Sequence, residues 1–83
     1  MIPEVTLYQR DGCHLCEIAL AQLSEIKRVH DFELTQVDIE ASDELHALYL
    51  ERIPVIALGG VELYDFEIDR VDLESRLSAA AAR

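Results

Sequence analysis

Residues 11–19 read Asp11-Gly12-Cys13-His14-Leu15-Cys16-Glu17-Ile18-Ala19, and this stretch holds the only two cysteines of the 83-residue chain. A Cys-x-x-Cys pair is compatible with half of a zinc site, with a structural staple, or with a dithiol that reacts. A staple gains little here. Closing a four-residue ring stabilises a fold by only about 2 kcal/mol on chain-entropy grounds, against about 3 kcal/mol for a fifteen-residue loop. A zinc site needs four ligands, and the chain has no second cysteine pair to complete one.

The surroundings of the pair set its structural context. Before it, Val5-Thr6-Leu7-Tyr8 alternates like a short strand, and Gln9 to Gly12 form a polar turn. After it, Leu15, Ile18, Ala19, Leu23, Ile26 and Val29 follow helical spacing, with Gln22, Glu25 and Lys27 on other faces. The spacing predicts a helix that begins at the cysteines and ends at His30-Asp31. Phe32 to Ile39 is rich in strand-favouring residues, so a second strand follows by a right-handed helical crossover, parallel to the first.

Further along, Ser42-Asp43-Glu44 offers an N-cap and two first-turn acids to a short helix with Leu45, Leu48 and Tyr49 on its apolar face. That helix must stop before Pro54, because a residue preceding proline avoids helical angles; Arg52-Ile53 is therefore extended. Val55-Ile56-Ala57-Leu58 is a continuous apolar run, as expected of a strand covered on both faces. Gly59-Gly60 supplies a two-residue hairpin turn into Val61-Glu62-Leu63-Tyr64. Asp69 or Asp72 caps a last helix carrying Leu73, Leu77 and Ala80, which frays into the final alanines. The expected order is β-α-β-α-β-β-α, in one domain spanning residues 1–83.

Composition narrows the partners. Although 51 % of residues are hydrophobic, no apolar run approaches the roughly 18 needed to span a bilayer, and the first residues lack the basic-then-apolar pattern of a leader. A soluble, cytoplasmic monomer with no membrane contact is the expectation. The net charge of -10 is concentrated in residues 31–69, where eleven acids face the single Arg52. That surface repels phosphate backbones, so nucleic acid is not expected as a partner; it suits solubility or a basic protein.

The element order, the Cys13-x-x-Cys16 pair opening the first helix, Ile53-Pro54 opening the third strand and the Gly59-Gly60 turn together resemble the glutaredoxin-like branch of the thioredoxin-fold superfamily. The similarity covers nearly the whole chain and is nearest to small bacterial glutaredoxin-like proteins. It implies an α/β fold, a four-stranded mixed sheet flanked by three helices, and a cis Ile53-Pro54 bond that presents the Ile53 backbone to a substrate. It also implies thiol-disulfide exchange on protein or glutathione mixed disulfides, with no bound cofactor or metal and glutathione as a possible co-substrate. Where standard glutaredoxins have Pro-Tyr, a preceding lysine and a Gly-Gly-x-Asp segment, this chain has His14-Leu15, Arg10 and Tyr64-Asp65-Phe66-Glu67. Glutathione is anionic, so the acids Asp65, Glu67 and Asp69 disfavour it unless Arg10 or Arg52 compensates.

Exchange requires a thiolate, and a free cysteine is only about 3 % ionised at pH 7. At a helix start, unpaired N–H groups and the helix dipole favour the anion of Cys13, which makes Cys13 the nucleophile and Cys16, one turn on, the resolving thiol. Protonated His14 would stabilise that thiolate and Glu17 would oppose it. Simpler roles stand beside these: a solvated side chain for His14, a first-turn acid for Glu17, a surface charge for Arg10, a turn residue for Asp11. Tyr8, Phe32 and Phe66 read as packing, and His30 and His46 as caps or surface groups. Two other functions stay open, a metal or cluster module using the two cysteines with His14 or a second subunit, and a partner-binding domain that kept the fold without turnover.

Overall fold

In the computed structural model, which describes residues 2–81, the chain runs β1 (Glu4–Gln9), α1 (His14–Lys27), β2 (Glu33–Asp38), a 3₁₀ turn (Ile39–Ala41), α2 (Asp43–Tyr49), β3 (Val55–Leu58), β4 (Val61–Asp65) and α3 (Arg70–Ala81). The last helix, expected to fray into the final alanines, stays helical through Ala81, and Ala82 and Arg83 lie outside the described residues. The strands form one mixed sheet in the order β2-β1-β3-β4. β1 and β2 are parallel, as a helical crossover requires, and β3 runs antiparallel to both β1 and β4. Among the described residues no helix is long and apolar enough to cross a membrane.

Strand alternation divides the core in two. Val5, Leu7 and Ile56 face a larger cluster with Ala19, Leu23 and Ile26 of α1, Leu73 and Leu77 of α3, Phe32 and Ile68. Tyr8 and Val55 belong to a smaller cluster with Cys16, Ile39, Leu45, Tyr49 and Ile53. The apolar run at Val55 to Ala57 is buried throughout because β3 contributes to both clusters. Burying each large aliphatic side chain stabilises the fold by about 1.5–3 kcal/mol before entropy costs.

Local signals account for most boundaries. The Ser42 hydroxyl accepts the Leu45 N–H at 3.1 Å, and the Asp69 carboxylate accepts the Asp72 N–H at 3.1 Å. Asp69, then, caps α3; Asp72 is drawn away to Tyr64 and Arg76. Gly59 and Gly60 have φ of 59° and 85°, the left-handed pair that a tight two-residue hairpin demands.

The structure departs from expectation in several places. Arg52, expected to be extended, lies in a turn after α2 in which its N–H donates to the Tyr49 carbonyl at 2.9 Å, and Leu48, expected on the apolar face of α2, is 55 % exposed. α1 ends at Lys27 rather than His30-Asp31: the Arg28 and Val29 amides fold back onto the Glu25 and Ile26 carbonyls, while the Lys27 ammonium holds the Phe32 carbonyl at 2.6 Å. Val29 is consequently 73 % exposed instead of lying on the buried face. The 3₁₀ turn was not expected; Asp38 caps it by accepting the Glu40 N–H at 2.9 Å. Phe66, expected to pack, is half exposed and has a left-handed φ of 70°.

Candidate active site

The turn after β1 delivers Cys13 to the N-cap of α1 in an extended conformation (φ −89°, ψ 106°). Its sulfur occupies the place that a serine or aspartate oxygen usually fills, accepting the Cys16 N–H at 3.1 Å. Its carbonyl begins the helical ladder by accepting the Glu17 N–H at 3.1 Å. Cys13 is partly exposed, whereas Cys16 is 1 % exposed against Ile39, Tyr49, Ile53 and Val55. The two are joined in a disulfide with Cα atoms 5.2 Å apart, well within the usual range. Cys13 keeps partial exposure at the edge of the cluster while Cys16 lies inside it, so the pair is asymmetric.

The remaining sequence-derived candidates surround this pair. His14 and Glu17 point outward, Nδ1 to Oε2 3.8 Å, with side chains 84 % and 74 % exposed, so their influence on Cys13 is screened by water. The Ile53-Pro54 peptide is cis and both residues are buried; the Ile53 N–H donates to the Tyr49 carbonyl at 3.1 Å and the Pro54 carbonyl accepts the Phe66 N–H at 2.8 Å. Arg10 is paired with Glu40 at 3.3 Å, and Glu40 in turn lies 3.8 Å from His46. A cleft of about 200 Å³ runs between the Gln9–Gly12 turn and Cys16, Glu17 and Leu20.

Arg52 stands at the centre of an organised network. Its guanidinium makes two hydrogen bonds of 3.2 Å to Asp65, a third to Glu62, and lies 5.3 Å over the Tyr49 ring. Tyr49 stacks on Tyr8 with ring centroids 4.3 Å apart and donates its hydroxyl to Glu62 at 2.9 Å. Burial, followed by the hydrogen bond to Glu62, raises the Tyr49 hydroxyl well above its ordinary value. Glu62 is held below its ordinary value, first by Arg52 and then by Tyr49.

Sequence reasoning missed the Tyr8–Tyr49 stack and Glu62. Tyr8 follows β1's alternation onto the smaller cluster, a signal that was available. Glu62 was not legible, because it depends on the pairing of β3 with β4. That pairing is irregular: Val55 opposes Asp65 and Ala57 opposes Glu62, leaving an extra residue on β4 between them. Residues 62 and 65 would face opposite sides of a regular strand; this bulge turns both toward Arg52. Among the described residues no group of three or more His, Cys, Asp or Glu side chains is placed to hold a metal ion.

The strand order, the helix-start cysteine pair and the cis Ile53-Pro54 bond, whose Ile53 packs in the same cluster as Cys16, define a thioredoxin-fold domain of the glutaredoxin-like kind. The chain belongs to the glutaredoxin-like domain family (DUF836), which matches residues 4–78. An uncharacterized protein of Mycobacterium tuberculosis is 33 % identical over 98 % of this chain and 84 % of its own length. The solution structure of protein Ne2328 from Nitrosomonas europaea is similar at a TM-score of 0.81, with 30 % identity and 93 % of each chain covered. The X-ray structure of protein XcR50 from X. campestris is 36 % identical at a TM-score of 0.72, covering 90 % of this chain and 96 % of that one. A thioredoxin of Halobacterium salinarum, 16 % identical at a TM-score of 0.67 over 93 % of this chain and 73 % of that one, shares the fold.

Proposed function

We propose that this protein is a thiol-disulfide oxidoreductase acting on protein or glutathione mixed disulfides. The observation that carries the reading is the asymmetry of the pair: a partly exposed Cys13 sulfur receiving a helix-start N–H, above a buried Cys16. In the reduced protein the Cys13 thiolate attacks a substrate disulfide, forming a bond to one substrate sulfur and expelling the other as a thiolate that takes up a proton. Cys16 gives up its proton and attacks the Cys13 sulfur, closing the Cys13–Cys16 disulfide and releasing the second substrate thiolate. Two electrons pass from the protein to the substrate. Two molecules of glutathione, or a reductase, return them. Such a cycle belongs in a reducing compartment, consistent with a cytoplasmic setting.

The resolving step gives the test. A Cys16→Ser variant is expected to accumulate a mixed disulfide at Cys13 when offered oxidised glutathione or a disulfide-bonded protein, visible by intact mass and reversed by dithiothreitol. The absence of any adduct at Cys13 would overturn the proposal, as would equal adduct formation in a Cys13→Ser variant.

A further inference from the structure

Arg52 adjoins the Ile53-Pro54 peptide, and its guanidinium is already filled on three of its donors. A solitary surface ion pair contributes about 0–1 kcal/mol and is easily surrendered to a ligand. Here a two-pronged bond to Asp65, a further bond to Glu62 and the Tyr49 face beneath act together on one planar group, an arrangement much harder to displace. Tyr49 is itself fixed by the Tyr8 ring and by its bond to the same Glu62. The β4 bulge that brings both acids to this face makes the network a property of the backbone. Arg10, which lines the cleft beside Cys16, is likewise engaged by a carboxylate, that of Glu40.

We propose that Glu62 and Asp65 are specificity-determining residues that act through Arg52: they hold its guanidinium away from substrate carboxylates, so the site selects against glutathione in favour of disulfides with neutral or cationic flanks. The inference rests on the oxidoreductase reading and names its substrate class. Glutathione carries two carboxylates and one ammonium group. At this rim it meets Arg52 outnumbered by the two acids that hold it, a local excess of negative charge. A protein disulfide set among neutral or basic residues meets no such penalty.

The test compares two thiols on the same oxidised protein. Reduction of the Cys13–Cys16 disulfide is followed with glutathione and with uncharged 2-mercaptoethanol, each rate corrected for its thiolate concentration, and the glutathione-to-mercaptoethanol ratio is taken. The ratio cancels changes in stability or in the exposure of the disulfide. The wild-type ratio is expected below one. Glu62→Gln combined with Asp65→Asn, which keeps a hydrogen-bond acceptor for Tyr49, is expected to raise it roughly five-fold or more. Adding Arg52→Gln to that pair is expected to remove most of the gain.

A wild-type ratio above one, or a ratio unmoved by the double substitution, overturns the inference. A gain that survives in the triple variant also overturns it, since lost negative charge alone would then explain the effect. Failure of both thiols to reduce the disulfide reversibly is a separate result, and it removes the oxidoreductase reading together with this one.

Discussion

The Cys16 backbone N–H donates to the Cys13 sulfur across 3.1 Å, so the buried residue of the pair supplies the dipole that stabilises charge on the exposed one. Further N–H groups of the first helical turn and the helix dipole act in the same direction. In the reduced protein this favours the Cys13 thiolate, while Cys16 is shielded by Ile39, Tyr49 and Val55. Iodoacetamide at neutral pH is expected to alkylate Cys13 at least roughly ten-fold faster than Cys16. Mass spectrometry of the digested protein reads the order directly. Equal labelling, or Cys16 first, would contradict the site geometry.

Stability should respond to alkali through two tyrosines. Tyr49 and Tyr64 are both held above their ordinary value of 10.0, first by burial and then by donating to Glu62 and Asp72. Their contribution is fully present below pH 10 and is lost as pH rises, because the unfolded chain releases these protons before the folded one does. Urea midpoints measured from pH 7 upward should stay level and then fall past pH 10. A Tyr49→Phe/Tyr64→Phe variant, about 1–2 kcal/mol less stable at pH 7 from two lost hydrogen bonds, should show a shallower alkaline fall. An unchanged fall would contradict the assignment.

The acid limb has the opposite sign. Glu62 and Asp72 are held below their ordinary values of 4.5 and 3.8, by Arg52 and Tyr49 in the first case and by Tyr64 and Arg76 in the second. Their contribution is complete above pH 4.5 and disappears as pH falls further. Glu62→Gln should flatten that decline in acid titrations of urea stability. A decline as steep as in the wild type would contradict the role given to Arg52.

Phe66 carries a left-handed φ of 70° with its ring half exposed, between two residues whose backbones bridge at 2.8 Å. Glycine adopts that conformation freely and a β-branched residue resists it. Phe66→Val is therefore expected to be less stable than Phe66→Gly by about 1–2 kcal/mol, as measured by chemical denaturation. Equal stabilities would mean that the turn relaxes without cost.

Most of the architecture was legible because its signals are local. Ser42 caps its own helix, Gly59-Gly60 set their own turn, and the unbroken run from Val55 announces a strand buried on both faces. The cysteine pair was readable for the same reason, as a helix start directly after a strand. What escaped depends on particular side-chain contacts and strand pairings that periodicity does not encode, whether five residues apart or across the sheet. The end of α1 is set by Lys27 reaching the Phe32 carbonyl, and the exposure of Val29 follows from it. The Arg52 network required a bulge between β3 and β4, and a one-residue change of register there would send Glu62 or Asp65 to the other face. Periodicity in a single chain segment carries no information about such pairings.

Cys13 and Cys16 are expected to form a working redox couple. Equilibration of the protein in a series of thiol-disulfide buffers, with the Cys13–Cys16 oxidation state read after acid quench, tests it most directly. The expected result is a reversible two-electron titration, about 30 mV per ten-fold change in buffer ratio, with a midpoint above about −300 mV, where cellular thiols can drive it. A disulfide that stays oxidised until the protein unfolds, or thiols that never re-form it, would contradict the claim.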